Sequence, residues 1–82
     1  NVIILSSCFK DAIKFNQPMD NWDVSKTKYI NSMFENCSVL NQNIKNWNVS
    51  NVLNYNNMFN NTTLMNTDPY NAPSTPTSVF FS

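Results

Sequence analysis

Glycine is absent from this 82-residue chain, and so is histidine. Without glycine, the chain cannot form the glycine-rich loops that hold phosphate groups. Its turns must instead use asparagine, which occurs 17 times and is the residue other than glycine that best tolerates left-handed backbone. The absence of glycine therefore excludes one class of nucleotide site and predicts asparagine-rich turns.

The absence of histidine removes the commonest general base and a common metal ligand. Neither of the two cysteines has a histidine that could activate it as a nucleophile. The carboxylates are scattered along the chain, at Asp11, Asp20, Asp23, Glu35 and Asp68. We therefore expect no enzymatic activity, no metal and no cofactor, and we expect these carboxylates to be solvated surface residues.

Charged residues are also few, and five basic and five acidic residues give a net charge of zero. No basic stripe is present that would attract a nucleic acid. No apolar run approaches the ~20 residues that a membrane-spanning helix needs. We therefore expect neither nucleic-acid binding nor a membrane span in this chain.

What the chain does contain is a repeat with a period of 25 residues. Residues 15–25 read FNQPMDNWDVS, and residues 40–50 read LNQNIKNWNVS. Such a period indicates stacked units that cannot bury their apolar faces alone. The chain divides into units of about 1–15, 16–40 and 41–66, followed by a tail, 67–82. Because residue 1 falls part-way through a unit, we expect a piece of a longer protein.

The apolar spacing changes within each unit. Trp22 and Val24, like Trp47 and Val49, alternate as in a half-buried strand, which favours a core position for both tryptophans over an exposed aromatic ladder. The apolar residues that follow fall at intervals of 3, 3, 1 and 3, which is typical of one face of a helix. The pattern predicts strands over 21–24 and 46–49 and helices over 2–13, 26–37 and 51–62.

The tail departs from the repeat and is rich in proline, serine and threonine, which predicts an extended segment. It ends in the apolar residues Val79, Phe80 and Phe81. These residues fold back to cover the last unit, since terminal repeats need a cap, or dock on a partner, or simply stand where the given sequence stops inside a longer chain. They are our candidate partner-binding residues.

Cys8 and Cys37 both fall on the apolar face of a predicted helix. Neighbouring helices lie 8–10 Å apart, whereas a disulfide needs Cα atoms within ~7 Å. Buried free thiols are therefore expected, and a disulfide is the alternative.

The whole unit resembles the BspA-like surface-protein repeats, which occur in Mycoplasma and Listeria lipoproteins, in protists and in large DNA viruses. The motifs N-Q, W-[DN]-V-S and M-F match that pattern in register over 15–37 and 40–62, with Thr27 in place of the customary valine. The resemblance implies an α/β, leucine-rich-repeat-like solenoid of about three 25-residue coils. Short parallel strands would lie on one side and helices on the other.

The resemblance also implies a function, namely a non-enzymatic repeat module for protein–protein interaction that is cell-surface or secreted. A second hypothesis is a structural component of a large particle such as a virion, in which the module bridges larger proteins. The partners are other proteins in both hypotheses. No catalytic or cofactor-binding residues come with the resemblance.

Overall fold

The computed structural model describes residues 3–81. Regular secondary structure within these residues is limited to strand β1 (Ile3–Ile4), strand β2 (Thr27–Tyr29) and a 3-10 helix (Ser78–Phe81). The two strands pair in parallel, with Ile3 opposite Thr27 and Ile4 opposite Tyr29. An isolated parallel bridge joins Tyr29 to Asn54. Turns and irregular backbone make up the other described residues.

Three turn-rich stretches one period apart, the turn segments 5–15, 30–40 and 55–65, lie side by side. The N–H of Phe9 donates to the carbonyl of Met33 at 2.9 Å, and the N–H of Phe34 donates to the carbonyl of Met58 at 3.0 Å. The same pairing occurs at every second position from 5 to 11 and from 30 to 36. The first and second turn segments therefore each donate backbone hydrogen bonds to the next stretch of the repeat along the chain.

The predicted helices over 26–37 and 51–62 are absent, as is the helix over 2–13 in its described part, 3–13. The reason is left-handed backbone at two positions in each turn segment, such as Ser32 (φ 57°) and Asn36 (φ 64°). A right-handed helix cannot continue through these positions. The backbone instead forms successive turns, in which Met33 donates to Ile30 and Cys37 donates to Phe34.

The predicted strands over 21–24 and 46–49 are also absent, and β1 and β2 lie inside segments predicted to be helical. Trp47 instead closes a turn by donating its N–H to the carbonyl of Ile44 at 3.1 Å. Val24 and Val49 are nevertheless buried, and Trp47 and Val49 flank the exposed Asn48, so turns produce the alternation of burial in this segment. The prediction of an α/β, leucine-rich-repeat-like solenoid with strands on one side and helices on the other is therefore wrong.

A column of aromatic rings runs through the core at one repeat position. Phe34 is fully buried between Phe9, at 5.7 Å between ring centroids, and Phe59, at 6.0 Å. Both ring pairs are stacked, a favourable geometry for aromatic side chains. The buried apolar side chains are Met19, Val24, Ile30, Met33, Phe34, Cys37, Leu40, Ile44, Trp47, Val49, Met58, Phe59, Met65, Ala72 and Phe81.

Candidate interaction surfaces

The tail lies against the third turn segment and takes the place of a further one. The N–H of Phe59 donates to the carbonyl of Ser74 at 3.0 Å, and the N–H of Asn57 donates to Thr75 Oγ1 at 3.0 Å. The equivalent amides one period earlier, those of Phe34 and Ser32, donate to the third turn segment itself. The tail therefore satisfies backbone donors that the repeat otherwise pairs with its next unit.

The candidate partner-binding residues lie at the end of this tail. The ring of Phe80 packs edge-on against Phe59 at 5.5 Å between centroids, and buried Phe81 lies 6.1 Å from Tyr55. Val79 is 76% exposed. The two rings cover the third turn segment, as the cap alternative predicts. A role of Val79, Phe80 and Phe81 in binding a partner stays a prediction.

An open depression with a volume of about 600 Å³, the amide groove, lies beside the tail. Two of its lining residues are held by Asn16, whose Oδ1 accepts hydrogen bonds from the N–H of Asn41 at 2.9 Å and from Gln42 Nε2 at 2.7 Å. Lys45 lies on its rim, with Nζ 5.5 Å from the centroid of Phe80. The lining residues are Asp20, Asn41, Gln42, Asn43, Lys45, Asn46 and Tyr70.

The amide groove offers hydrogen-bond donors and acceptors together with one aromatic ring. Side-chain amides supply both donors and acceptors, Tyr70 supplies a rigid amphipathic surface, and Asp20 and Lys45 supply opposite charges. Tyrosine and asparagine are the residues that antibody binding loops use for contact area and adaptable hydrogen bonds. The groove is therefore suited to a polar chain such as an extended peptide.

The sequence alone did not predict the amide groove. The sequence does show polar positions within the period, namely the run Asn41–Asn43 and the recurring Asn21 and Asn46. Tyr70 belongs to the tail, where the period no longer indicates which residues lie together. Only the structure shows that Tyr70 lies beside the repeat residues of the groove.

The first turn segment presents an open edge on its other side, formed by residues 4–13 and Trp22. The carbonyls of Ser6, Cys8 and Lys10 are equivalent to those of Asn31, Met33 and Glu35, which accept hydrogen bonds from the preceding turn segment. Within residues 3–81, no backbone N–H donates to the first three. The apolar side chains there are exposed in part, Ile4 at 62% and Ile13 at 60%.

The two tryptophans differ in exposure because only Trp22 lies at the open edge. Trp47 is 3% exposed, and its Nε1 donates to the carbonyl of Met19 at 2.9 Å. Trp22 occupies the same repeat position but is 41% exposed, because residues 3–81 contain no unit on that side to cover it. The prediction of a core position is confirmed for Trp47 and wrong for Trp22.

Polar side chains at equivalent positions are bonded in register across the units. Asn36 Nδ2 donates to Asp11 Oδ1 at 2.6 Å, and Asn61 Nδ2 donates to Asn36 Oδ1 at 3.1 Å. Glu35 accepts from Asn60 Nδ2 at 3.0 Å and lies 3.8 Å from Lys10 Nζ. Asp11 and Glu35 therefore join neighbouring turn segments, which is more than the solvated surface role expected from the sequence.

Hydrogen bonds lower the pKa of two carboxyl groups, those of Glu35 and Asp23. The hydrogen bond from Asn60, followed by one from Ser32, lowers the pKa of Glu35. The hydroxyl and the backbone N–H of Ser25 lower the pKa of Asp23, whose Oδ1 they reach at 2.6 and 3.0 Å. In both cases donors stabilise the charged carboxylate.

Both cysteines are free thiols, so the expectation of free thiols is confirmed and the disulfide alternative is not observed. Cys37 is buried, and its Sγ donates to the carbonyl of Phe9 at 2.9 Å. Burial raises the pKa of the Cys37 thiol. Cys8 is exposed on the open edge, so the expectation that both thiols are buried is wrong for Cys8.

No group of three or more histidine, cysteine, aspartate or glutamate side chains within residues 3–81 could hold a metal ion. No helix in the same residues is both long and apolar enough to cross a membrane.

The chain matches the family described as "Mycoplasma protein of unknown function, DUF285" over residues 1–73, and it belongs to that family. The match includes the three turn segments and the start of the tail, and it ends one residue before Ser74, whose carbonyl accepts from the N–H of Phe59. Comparisons with curated proteins and with solved structures found no match to the chain.

Proposed function

We propose that the chain is a non-enzymatic module for protein–protein interaction on a cell surface, and that the amide groove is its binding site. The observation that supports this most strongly is the composition of the groove. Four side-chain amides, those of Asn41, Gln42, Asn43 and Asn46, converge with a tyrosine from a separate part of the chain.

The groove is matched to an extended polypeptide. A peptide backbone presents one donor and one acceptor at nearly every residue, and the amides of the groove can pair with both. Lys45 and Asp20, at equivalent positions of neighbouring units, would each contact a side chain of opposite charge on the partner. Tyr70 would contact an apolar side chain of the partner through its ring.

Display on a cell surface, or secretion, is supported by the resemblance to BspA-like surface repeats. Membership of a family described from Mycoplasma proteins agrees with that resemblance. The second candidate, a structural component of a large particle such as a virion, rests on the occurrence of the same kind of repeat in large DNA viruses.

A peptide library displayed on phage tests the proposed binding site. Peptides selected on the wild-type chain would be measured against Asn46→Arg, which places a bulky cation in the groove. Asn21→Arg is the matched control, because Asn21 is the exposed equivalent of Asn46 one period earlier and does not line the groove.

We expect Asn46→Arg to weaken binding roughly tenfold or more, which corresponds to about 1.4 kcal/mol, and the control to change it less than about twofold. Equal affinity of the selected peptides for the two variants would place their binding site elsewhere. A library that yields no peptide above background would contradict the proposed function itself.

A further inference from the structure

We propose that Asn48 is a site of N-linked glycosylation, at which a sugar is transferred from a diphosphate-activated donor to the side-chain amide. The inference rests on the proposed function in one respect, since display on a cell surface or secretion would bring the chain to a glycosyltransferase. It concerns a side chain that does not line the amide groove. Differences in structure among the places where the sequence permits such a modification support it.

The acceptor motif for N-linked glycosylation is asparagine followed, two residues later, by serine or threonine. The chain contains this motif four times, beginning at Asn36, Asn48, Asn60 and Asn61. Because asparagine is so frequent in this chain, the motif alone does not distinguish the four. The structure distinguishes them, because a transferase must reach both the asparagine Nδ2 and the hydroxyl group two residues later.

The Nδ2 atoms of three of these asparagines are engaged in hydrogen bonds between neighbouring turn segments. Asn36 Nδ2 donates to Asp11 Oδ1 at 2.6 Å. Asn60 Nδ2 donates to Glu35 Oε2 at 3.0 Å, and Asn61 Nδ2 donates to Asn36 Oδ1 at 3.1 Å. Transfer of a sugar to any of the three would break a contact that holds two turn segments together.

Other groups of these motifs are engaged as well. Thr62, which completes the motif of Asn60, is fully buried and donates its hydroxyl to the carbonyl of Phe34 at 2.7 Å. The N–H of Asn36 donates to the carbonyl of Asn60 at 2.8 Å. The turn segments must therefore separate before a transferase can reach these groups.

The motif that begins at Asn48 lies outside the turn segments and is accessible. Asn48 and Ser50 are both exposed. Asn48 Oδ1 accepts from the N–H of Ser50 at 3.1 Å, and its Nδ2 makes no hydrogen bond within residues 3–81. The flanking Trp47 and Val49 are buried, so they anchor the backbone while Asn48 faces solvent. This side chain therefore presents a free amide nitrogen on a fixed turn.

The transfer exchanges one bond for another and involves no oxidation or reduction. Asn48 Nδ2 would attack the anomeric carbon of the donor sugar, forming the new N–C bond while the C–O bond to the diphosphate breaks. The diphosphate leaves with the bonding electron pair, and one Nδ2 proton passes to a base of the transferase. The donor is a sugar linked to a nucleoside diphosphate or to a lipid diphosphate, which share this chemistry.

The repeat provides a matched position at Asp23, one period before Asn48. Asp23 is also exposed, and its Oδ1 accepts from the N–H of Ser25 at 3.0 Å. The hydroxyl of Ser25 also donates to this carboxylate, at 2.6 Å, a bond that the neutral oxygen of asparagine would hold less strongly. Asp23→Asn therefore creates the same motif in the same turn.

The test measures glycosylation of the folded chain in vitro. One reaction uses a soluble N-glycosyltransferase with nucleoside-diphosphate glucose, and the other uses an oligosaccharyltransferase with a lipid-diphosphate oligosaccharide, which distinguishes the two donors. Synthetic peptides that cover each motif serve as unfolded controls, and mass spectrometry locates the modified residues. Relative to its own peptide, Asn48 in the folded chain should react roughly tenfold or more faster than Asn36, Asn60 or Asn61, which must first be released by local opening.

Three substitutions test the assignment to this turn, with circular dichroism to compare each fold with wild type. Ser50→Ala should abolish the modification of Asn48, and Ser50→Thr should preserve it. Asp23→Asn should add a second sugar, at position 23. A folded chain that neither transferase modifies at Asn48 overturns the proposal, as does equal reaction of the other three asparagines or a folded Asp23→Asn variant that gains no second sugar.

The same assay separates this inference from the proposed function, because it involves neither the amide groove nor the location of the chain. A chain that selects no peptide but accepts a sugar at Asn48 would contradict only the proposed function. A chain that binds peptides in the groove but accepts no sugar at Asn48 would overturn only the present proposal.

Discussion

Replacement of Phe34 by alanine tests the aromatic column on which the packing of the three turn segments depends. Phe34 is fully buried, and its ring lies 5.7 Å from Phe9, 6.0 Å from Phe59 and 6.3 Å from Trp47. Truncation of a buried phenylalanine removes its transfer free energy and leaves a cavity, which together cost about 3–5 kcal/mol. Rings on both sides restrict collapse of that cavity, so we expect the upper part of the range.

This cost is large for so small a chain. At about 0.05–0.15 kcal/mol per residue, 82 residues would have a free energy of unfolding of roughly 4–12 kcal/mol. Each kilocalorie per mole shifts the melting temperature of a domain of this size by about 4–8 °C. We therefore expect Phe34→Ala to lower the melting temperature by roughly 12–40 °C, or to leave the chain unfolded at room temperature.

The assay is thermal and urea denaturation followed by circular dichroism, with two controls. Phe9→Ala removes the equivalent ring at the open edge, where Phe9 is only half-buried, and should cost about half as much or less. Leu53→Ala, at a residue that is 66% exposed, should change stability by less than about 0.5 kcal/mol. A Phe34→Ala variant that melts within a few degrees of wild type would refute the packing described here.

Four further predictions address the turns, the one orphaned buried hydroxyl among residues 3–81, the thiols and acid stability. In urea denaturation, Asn36→Gly should be more stable than Asn36→Ala by about 1–2 kcal/mol, because both variants lose the side-chain hydrogen bonds but only alanine resists a φ of 64°. Equal stabilities would contradict a left-handed backbone at Asn36. Thr27→Val should raise stability by up to about 1 kcal/mol, because Thr27 Oγ1 is buried without a partner in the described structure; a loss of stability would indicate that the hydroxyl is bonded. In timed alkylation followed by mass spectrometry, exposed Cys8 should react well before Cys37, whose burial raises its pKa; reaction at one rate would place both thiols in the same environment. Because the pKa of Glu35 is lowered in the folded chain, its charged form contributes stability above the unfolded pKa, and this stability is lost as the pH falls through the folded pKa. The free energy of unfolding should therefore fall less steeply with acid for Glu35→Gln than for wild type. An unchanged dependence on pH would argue against the contact with Asn60.

The sequence predicted which positions are buried better than it predicted the backbone that buries them. Ile30, Met33, Phe34 and Cys37, assigned to one apolar face, are all fully buried. Intervals of 3, 3, 1 and 3 fit a helix face, and they also fit a succession of turns that advance three residues at a time. Apolar spacing alone cannot separate the two, because both return the side chain to the same side.

The polar residues between these apolar ones are the signal that could have distinguished turns from a helix. Ser32 and Asn36 recur as Asn57 and Asn61, and all four have left-handed backbone. Serine and asparagine form helices weakly because their side chains compete for backbone hydrogen bonds, so their recurrence at fixed positions argued against a helix. The expectation that asparagine would form the turns is confirmed by Asn36, Asn57 and Asn61, although the turns occur inside the segments predicted to be helical.

The candidate surfaces were harder to predict because they lie where the period stops or changes. Residues that recur without change, such as Trp47 and its equivalent Trp22, hold one unit against the next and differ in exposure only because Trp22 has no described unit beside it. The amide groove instead includes Asp20 and Lys45, two residues at one repeat position with opposite charges. Both side chains are exposed, so the stacking of the units does not constrain their charge. Under the proposed function, positions that vary between units are where a partner would be distinguished, whereas positions that repeat hold the units together.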